Sequence, residues 1–306
     1  MFVRTFLHAA RNTRSGLDLF VVAGVLWGTG GIAGSVLAAR AGLHPVAVAA
    51  YRLLAGGLFI TGYALACGRL RVRRPNRAEL ARIAGVGALF TVFQAAYFAA
   101  VAATSVSLAT LTTMVAVHLL VTTGSALLER RRLGRFAIAS LVVAALGLAL
   151  LLGSPAGGAR GAPVGVGFAL VAAGGFAVST LDTRPALPGL DRVAVTGLGF
   201  LFGGCLLLPA ALAVGMAVPI HIDTLGAVFF LGVVPTAGAY IAYFTALGRA
   251  HVGGGIVAVL LEPLTATVLA ALLQGERLGP TRLLGGVLVL TSIAVHHRAA
   301  GNAARG

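Results

Sequence analysis

Long apolar stretches recur along the whole chain, and short polar or charged segments separate them. A helix needs about 20 mainly apolar residues to cross the hydrocarbon core of a bilayer. Ten segments meet this requirement, at approximately residues 18–39, 46–67, 80–102, 106–128, 136–153, 164–182, 193–214, 223–245, 252–273 and 282–297. The pattern therefore predicts an all-α membrane protein with ten transmembrane helices and no sizeable soluble domain.

The composition supports this prediction. Of the 306 residues, 58% are hydrophobic and 10% are charged, whereas a soluble domain is about 45–50% apolar and about 25% charged. Disorder is excluded as well, because it requires low hydrophobicity. All 23 basic residues are Arg, and a Walker-type phosphate loop is excluded because that motif needs a Lys.

The net charge of +15 would suggest nucleic-acid binding in a soluble chain, but the positions of the arginines indicate another cause. With the N-terminus in the cytoplasm, 18 arginines fall on the cytoplasmic side, four fall outside, and Arg52 lies within the membrane. Cytoplasmic loops are enriched in Arg and Lys. The bias predicts a multi-pass protein of a bacterial-type cell membrane with cytoplasmic tails at 1–17 and 299–306. Membrane lipid, and not nucleic acid, is the expected partner of these charges.

Three dipeptides of the first half recur in the second half at nearly constant spacing. They are Gly56-Gly57 with Gly203-Gly204 and Glu129-Arg130 with Glu276-Arg277, both 147 residues apart, and Tyr97-Phe98 with Tyr243-Phe244, 146 apart. A repeat unit of five helices contains an odd number of crossings, so its second copy enters the membrane in the opposite orientation. We therefore expect an inverted 5+5 repeat, a plan that recurs in secondary transporters.

Several motifs resemble the EamA domain of the drug/metabolite transporter superfamily. They are Trp27-Gly28, Arg52, Tyr243, Leu261-Glu262-Pro263 and Gly275-Glu276-Arg277-Leu278. The resemblance covers essentially the whole chain as two units, residues 18–153 and 164–298. It implies a carrier of small metabolites, often an exporter, with a central cavity between the halves and helices 5 and 10 supporting the bundle. The first repeat departs from the second, since Val115-Ala116 stand where the second has Glu262-Pro263.

Glu262 is the most informative charged residue, because it falls near the middle of helix 9. A charged carboxylate costs several kcal/mol at this depth, so an ionisable group there suggests function. Pro263 removes a backbone donor, and we expect a broken or bent helix at this point. Glu262 either binds a proton or a cationic substrate group, or fixes the packing of helix 9.

Arg52 and His118 are the other deep polar groups. Arg52 lies about 9 Å into helix 2, from the rise of 1.5 Å per residue. It either binds an anionic substrate group, or reaches the outer headgroups, or pairs with a helix carbonyl. His118, near the middle of helix 4, either joins a proton relay or holds a packing hydrogen bond. No second His lies at metal-ligand spacing in the spans, and we expect no metal site and no cofactor.

Aromatic and amide side chains are further candidates for the wall of a substrate path. Trp27 is the only Trp and falls near the centre of helix 1, away from the interface where such a residue would anchor a helix. Tyr97, Tyr243 and Gln94 are candidates on the same grounds, although each of them also suits a contact with lipid or a neighbouring helix. Glu129 and Glu276 are expected to form ion pairs and caps at the membrane interface.

These features together predict a secondary transporter that moves a small metabolite or drug-like molecule, including amino-acid-like ones, by alternating access. Export and proton coupling are the expected direction and energy source, alongside the substrate's own gradient. A lipid-linked substrate flippase is one alternative. A membrane-embedded enzyme is another, but the chain has no His-Glu-x-x-His, no Gly-x-Ser-x-Gly and no clustered acids. The identity of the substrate and the oligomeric state do not follow from the sequence.

Overall fold

The computed structural model describes residues 16–70, 76–130, 132–153, 162–182, 191–219, 221–247, 255–277 and 279–303. Within these ranges all regular secondary structure is helical. The helices are α1 Gly16–Ala41, α2 Pro45–Ala66, α3 Arg77–Ala103, α4 Val106–Leu128, α5 Arg135–Gly153, α6 Ala162–Asp182, α7 Arg192–Ala213, α8 Ile222–Leu247, α9 Gly255–Gln274 and α10 Pro280–Ala303.

Eight of these helices are long and apolar enough to cross a membrane, and the apolar segments of α5 and α10 are shorter. Across the described ranges this agrees with the ten segments predicted from the sequence. One boundary differs, because α10 remains helical to Ala303 although a tail was expected from residue 299. The alanine-rich end of the chain favours helix, which explains the extension. Tail residues 1–15 and 304–306 lie outside the described residues.

Side-chain caps fix where three of the helices begin. Asn76 accepts from the backbone N–H of Glu79 at 2.9 Å, and the Glu79 carboxylate accepts from the N–H of Asn76 at 3.0 Å, which forms a capping box on α3. Ser105 caps α4, and Asp191 caps α7. Such caps satisfy backbone N–H groups that the first helical turn leaves without partners.

The main helix pairs show a twofold pattern. Helices α2 and α7 lie against each other, as do α5 and α10, while α3 packs on α6 and α7, and α8 packs on α1 and α2. Helix α4 packs on α6, and α1 packs on α9. Exchanging α1–α5 with α6–α10 converts each of these pairs into itself or into another pair of the same set.

Two of the duplicated glycines allow the close approach of α2 and α7. A Cβ atom at Gly57 would lie 2.6 Å from the backbone nitrogen of Leu201. A Cβ atom at Gly204 would lie 2.7 Å from the side chain of Leu54. Small residues permit such backbone contact in membrane helices. The glycines that recur at a spacing of 147 residues therefore lie at a single crossing, one on α2 and the other on α7.

We expect Gly57→Ala to destabilise the protein, because the added methyl group would press on the backbone of α7. Overpacking of this kind costs about 1–3 kcal/mol, so the apparent melting temperature in detergent should fall by roughly 2–10 °C. Gly62→Ala on the same helix is the matched control, since no atom lies within 4 Å of the added carbon. Equal melting temperatures for the two variants would contradict the close crossing.

Candidate functional site

A cavity of about 490 Å³ lies between the two halves of the chain. Small-molecule sites usually occupy about 300–1,000 Å³. Its wall is formed by α1–α4 of the first half and α6–α9 of the second half, with Ile293 the single contribution of α10. Of the described side chains of α5, none lines the cavity. Both halves therefore shape one site.

The cavity extends from the middle of the bundle to one of its ends. Its mouth is where α3 and α7 begin and where α4 and α6 end, and it is lined there by Arg82, Ser125, Thr180 and Arg192. Its inner end is lined by residues from the middle of other helices, namely Trp27, Arg52, Tyr97 and Glu262. These two regions are the mouth and the inner end of the cavity.

Eight of the described lining residues are aromatic and form much of the wall. This aromatic wall consists of Trp27, Phe90, Phe93, Tyr97, Phe176, Tyr240, Tyr243 and Phe244. The Trp27 ring lies 5.2 Å from the Tyr240 ring and 4.9 Å from the Tyr243 ring, and Phe93 lies 5.0 Å from Phe176. Edge-to-face and tilted contacts at these distances are the favourable arrangements for aromatic pairs. The wall offers a continuous apolar surface to a bound molecule.

Arg52 is placed at the inner end by contacts with three other helices. Its side chain is 6% exposed, and its Nε donates to Thr236 Oγ1 of α8 at 3.2 Å. The guanidinium lies 5.8 Å from the centre of the Phe98 ring of α3. On α1, a Cβ atom at Gly30 would lie 2.8 Å from Arg52 Nη2. The absence of a side chain at Gly30 therefore makes room for the guanidinium.

The hydrogen-bond acceptor for Arg52 comes from an irregular segment of α8. This helix changes to π-helical geometry over Val233–Gly238, and Thr236 Oγ1 also donates to the Leu231 carbonyl at 2.7 Å. Single π-helical turns inside α-helices occur frequently at functional sites. Sequence reasoning missed both Thr236 and this turn. Pro235 was the available signal, because a proline lacks the backbone donor that a regular α-helix requires.

Glu262 lines the cavity from α9 and is partly buried. It forms no ion pair or hydrogen bond with another described residue. The expected helix break at Pro263 is absent, since α9 runs without interruption from Gly255 to Gln274. Proline removes only one backbone hydrogen bond here, and α1 packs tightly on this turn: a Cβ atom at Gly28 would lie 2.7 Å from the Glu262 carbonyl oxygen. The irregular backbone of the site is in α8.

His118 lines the cavity and connects α4 to the two peripheral helices. Its Nε2 is 3.0 Å from Ser140 Oγ of α5, and Ser140 donates to the Ser292 carbonyl of α10 at 2.8 Å. Within the described ranges, no group of three or more His, Cys, Asp and Glu side chains is arranged to hold a metal ion. His118 thus belongs both to the cavity wall and to a buried hydrogen-bonded chain.

The remaining candidates separate into two groups. Trp27, Tyr97 and Tyr243 lie in the aromatic wall, and the Tyr97 hydroxyl is 2.8 Å from Thr110 Oγ1. Gln94 does not line the cavity. It is completely buried, and its amide has no hydrogen-bond partner among the described residues. Gln94 and Tyr97 are three positions apart on α3 and therefore lie on neighbouring parts of one side of the helix, yet only Tyr97 reaches the cavity.

Contacts between the halves close the bundle at the end opposite the mouth. The Glu276 carboxylate accepts from the backbone N–H groups of Val106 at 2.9 Å and Ser107 at 3.3 Å. These donors belong to the first turn of α4, where N–H groups lack helical partners and a negative charge is favourable. We expected ion pairs and caps at the membrane interface; Glu276 forms a cap, and the helix that it caps belongs to the other half.

Two further hydrogen bonds join the halves at this closed end. The Gln274 side chain donates to Ser35 Oγ, which connects the end of α9 to α1. The Tyr51 hydroxyl of α2 donates to the carbonyl oxygen of Met216, in the segment between α7 and α8, at 2.6 Å. The cavity is therefore sealed from this end by polar contacts as well as by helix packing.

Comparison with known proteins places this arrangement in a family. The EamA-like transporter family matches residues 14–153 and 163–296, as two domains. An uncharacterized transporter, YwfM, of Bacillus subtilis (strain 168) is 28% identical over 281 residues, covering 91% of this chain and 92% of the relative. The uncharacterized inner membrane transporter YicL of Salmonella typhimurium is 24% identical and covers 92% of this chain and 95% of the relative.

A solved crystal structure has the same fold, with a TM-score of 0.65 over 92% of this chain and 96% of that chain, at 21% sequence identity. Both the family match and the similar fold extend over nearly the whole sequence. The two matched domains correspond to the two sets of five helices that enclose the cavity. The chain is therefore a multi-pass membrane protein that belongs to the EamA-like transporter family.

Proposed function

We propose that this protein is a secondary transporter that moves a small organic molecule across the cell membrane by alternating access. The observation that carries the proposal is the cavity itself. It lies between the halves, reaches one end of the bundle, and is separated from the other end by the contacts of Glu276, Gln274 and Tyr51. A carrier of this kind needs a site that is accessible from one side at a time.

The two halves are proposed to form an inverted repeat. Support comes from the helix pairs, which convert into one another when the halves are exchanged. Each half has five helices, so corresponding helices run in opposite directions. In the second state of the cycle, the contacts at the closed end would separate, and equivalent surfaces would meet at the mouth.

The mouth is proposed to face the cytoplasm, with both termini on the same side. The described arginines of this region lie at this end of the bundle, namely Arg69, Arg77, Arg82, Arg130, Arg132 and Arg135. Cytoplasmic segments carry the excess of basic residues. The described state is then open to the cytoplasm and can take its substrate from inside the cell. Export is the proposed direction, because this state would take up its substrate from the cytoplasm.

Glu262 is the proposed coupling group. Its carboxyl group lines the cavity and has no ion pair or hydrogen bond within the described ranges, so a proton or a cationic group can reach it from the mouth. Ionisable groups inside membrane proteins often form proton paths. His118, which lies on the same cavity surface, is the second member of this proposed path. The driving force is then the proton gradient or the gradient of the substrate.

We expect Glu262→Gln to uncouple transport from the proton gradient. In proteoliposomes, an imposed pH gradient should no longer accelerate flux of a substrate found by screening amino acids, cationic drugs and nucleosides. Exchange of that substrate across the membrane without a gradient should persist, because the cavity keeps its shape. Glu129→Gln makes the same change at an exposed position and should remain coupled. Undiminished proton-driven flux in Glu262→Gln would refute the coupling role.

Removal of the Glu276 carboxylate should open the closed end more often. Loss of a helix cap costs about 1 kcal/mol, which corresponds to roughly a fivefold increase in the open population. The measurement is thiol labelling of Ser107→Cys, a buried position in the capped turn, after Cys67 and Cys205 are replaced by Ser. Glu276→Ala should raise the labelling rate, and Asp223→Ala, an exposed carboxylate on the first turn of α8, should not. Equal rates would contradict a sealing role.

The proposed orientation predicts the behaviour of reporter fusions. Green fluorescent protein at the C-terminus should be fluorescent, and alkaline phosphatase at the same position should be inactive, because the reporter would remain in the cytoplasm. Alkaline phosphatase joined after Met216, between α7 and α8, should be active. The opposite result at both positions would mean that the mouth faces outward.

A further inference from the structure

We propose that the molecule carried in this cavity has a carboxylate group, which Arg52 binds, joined to an apolar or aromatic body. This inference rests on the proposed transport function, because it names the class of substrate for the same cavity. It depends on three observations: the hydrogen-bonding state of Arg52, the charges of the cavity surface, and the composition of the wall.

The guanidinium of Arg52 has N–H donors that are available to a ligand. The side chain is 94% buried, and its Nε is bonded to Thr236. Its two terminal nitrogens, Nη1 and Nη2, form no hydrogen bond or ion pair with another described residue. The N–H groups of an arginine inside a protein usually have hydrogen-bond partners. Because Arg52 lines the cavity, an acceptor on a bound molecule can satisfy these nitrogens.

The geometry of a guanidinium selects the kind of acceptor. It is planar, and paired N–H groups match the two oxygens of a carboxylate in a bidentate contact. Thr236 on α8 and the ring of Phe98 hold one side of the group, and the bare backbone at Gly30 lets it lie close to α1. The terminal nitrogens are thus oriented before a ligand arrives. Thr236 is a positioning residue, since it acts through Arg52.

The charges of the cavity surface favour an anionic group. Among the residues that line it, three are arginines, namely Arg52, Arg82 and Arg192, and one is acidic, namely Glu262. Arg192 lies at the mouth, where a positive charge attracts anions as they approach. A molecule whose only charge is positive would pass Arg192 before it reached Glu262, the one acidic residue among those described in the lining. A simple carboxylate and an amino acid both supply the group that Arg52 lacks.

The apolar side chains of the wall favour an apolar group in the part of the ligand beyond the carboxylate. The aromatic wall defined above surrounds the inner end, and Met114 and Val259 add aliphatic surface. These side chains supply apolar contact but few hydrogen bonds. A sugar or a polyhydroxylated molecule would lose its bonds to water without gaining new ones. A phenyl or branched aliphatic body attached to the carboxylate fits the surface better.

Three probes that share a phenylalkyl body test the carboxylate requirement. They are 3-phenylpropanoate, phenylalanine and 2-phenylethylamine, and equilibrium binding is measured with the full-length protein in lipid nanodiscs. We expect both carboxylates to bind, and the amine to bind at least tenfold more weakly. Arg52→Gln should weaken both carboxylates at least tenfold, as expected for loss of a hydrogen-bonded charge pair, and leave the amine unchanged. An amine that binds as tightly as the acids, acids that bind equally to Arg52→Gln, or acids that do not bind at all would overturn the proposal.

A second set of variants applies even if Arg52→Gln does not fold. Thr236→Val keeps the shape of the side chain but removes the acceptor for Nε, and it should weaken carboxylate binding severalfold. Thr236→Ser should restore it. Thr245→Val is the control on the same helix, because Thr245 bonds only to the Ile241 carbonyl among the described residues and does not line the cavity. Equal loss for acid and amine in Thr236→Val would indicate general damage and would contradict a positioning role.

Flux measurements separate this inference from the proposed function. The same probes are loaded into proteoliposomes that contain the wild-type protein. Arg52-dependent binding of the acids without any flux would contradict the transport proposal and leave the carboxylate inference standing. Flux of the amine without flux of the acids would support transport and refute the carboxylate inference. Flux of both acids that falls in Arg52→Gln would support both proposals.

Discussion

The structure depends on the absence of water from the hydrocarbon core of the membrane. Backbone N–H and C=O groups must then be satisfied within the protein, and helices achieve this along each segment. Regular helices are thus the expected structure of this chain. Irregular backbone and charged side chains inside the membrane are the features that need a separate explanation. The π-helical turn at Val233–Gly238, the buried guanidinium of Arg52 and the carboxyl of Glu262 all lie at or beside the inner end of one cavity. Charged groups are costly inside a membrane, and the proposed substrate and proton would interact with them here.

The closed end combines tight helix packing with few polar contacts. Its cross-half hydrogen bonds involve Glu276, Gln274 and Tyr51, and a typical intramolecular hydrogen bond contributes only about 0.5–1.5 kcal/mol net. Contacts of this strength can open in thermal motion. A protein that must alternate between two states needs them to be similar in free energy, because a ligand shifts the equilibrium only by its differential affinity. Weak closure is thus compatible with a transport cycle.

The sequence predicted the elements well and the directions of side chains poorly. Ten helices followed from apolar length, and Arg52 and Glu262 stood out because charges are rare in such segments. Gln94 and Tyr97 illustrate the limit: both were expected on the substrate path, but only Tyr97 lines the cavity. In a soluble helix the polar face marks the exterior, whereas lipid is as apolar as a protein core. The hydropathy pattern therefore gives little information on which side of each helix faces the cavity. The cap formed by Glu276 and the contact between Thr236 and Arg52 depend on distant segments, which no local pattern reveals.

The π-helical turn of α8 has a consequence for how such a cavity changes over evolution. A π-helical turn holds one residue more than an α-helical turn, so it is equivalent to inserting a single residue within a membrane span. The following residues are then rotated by about 100° around the helix axis relative to a regular helix of the same sequence. Tyr240 and Tyr243 follow this turn and face the cavity. Loss of one codon in this segment would restore a regular α-helix that still directs Tyr240 and Tyr243 at the cavity, but it would remove the irregular turn that holds Thr236 beside Arg52.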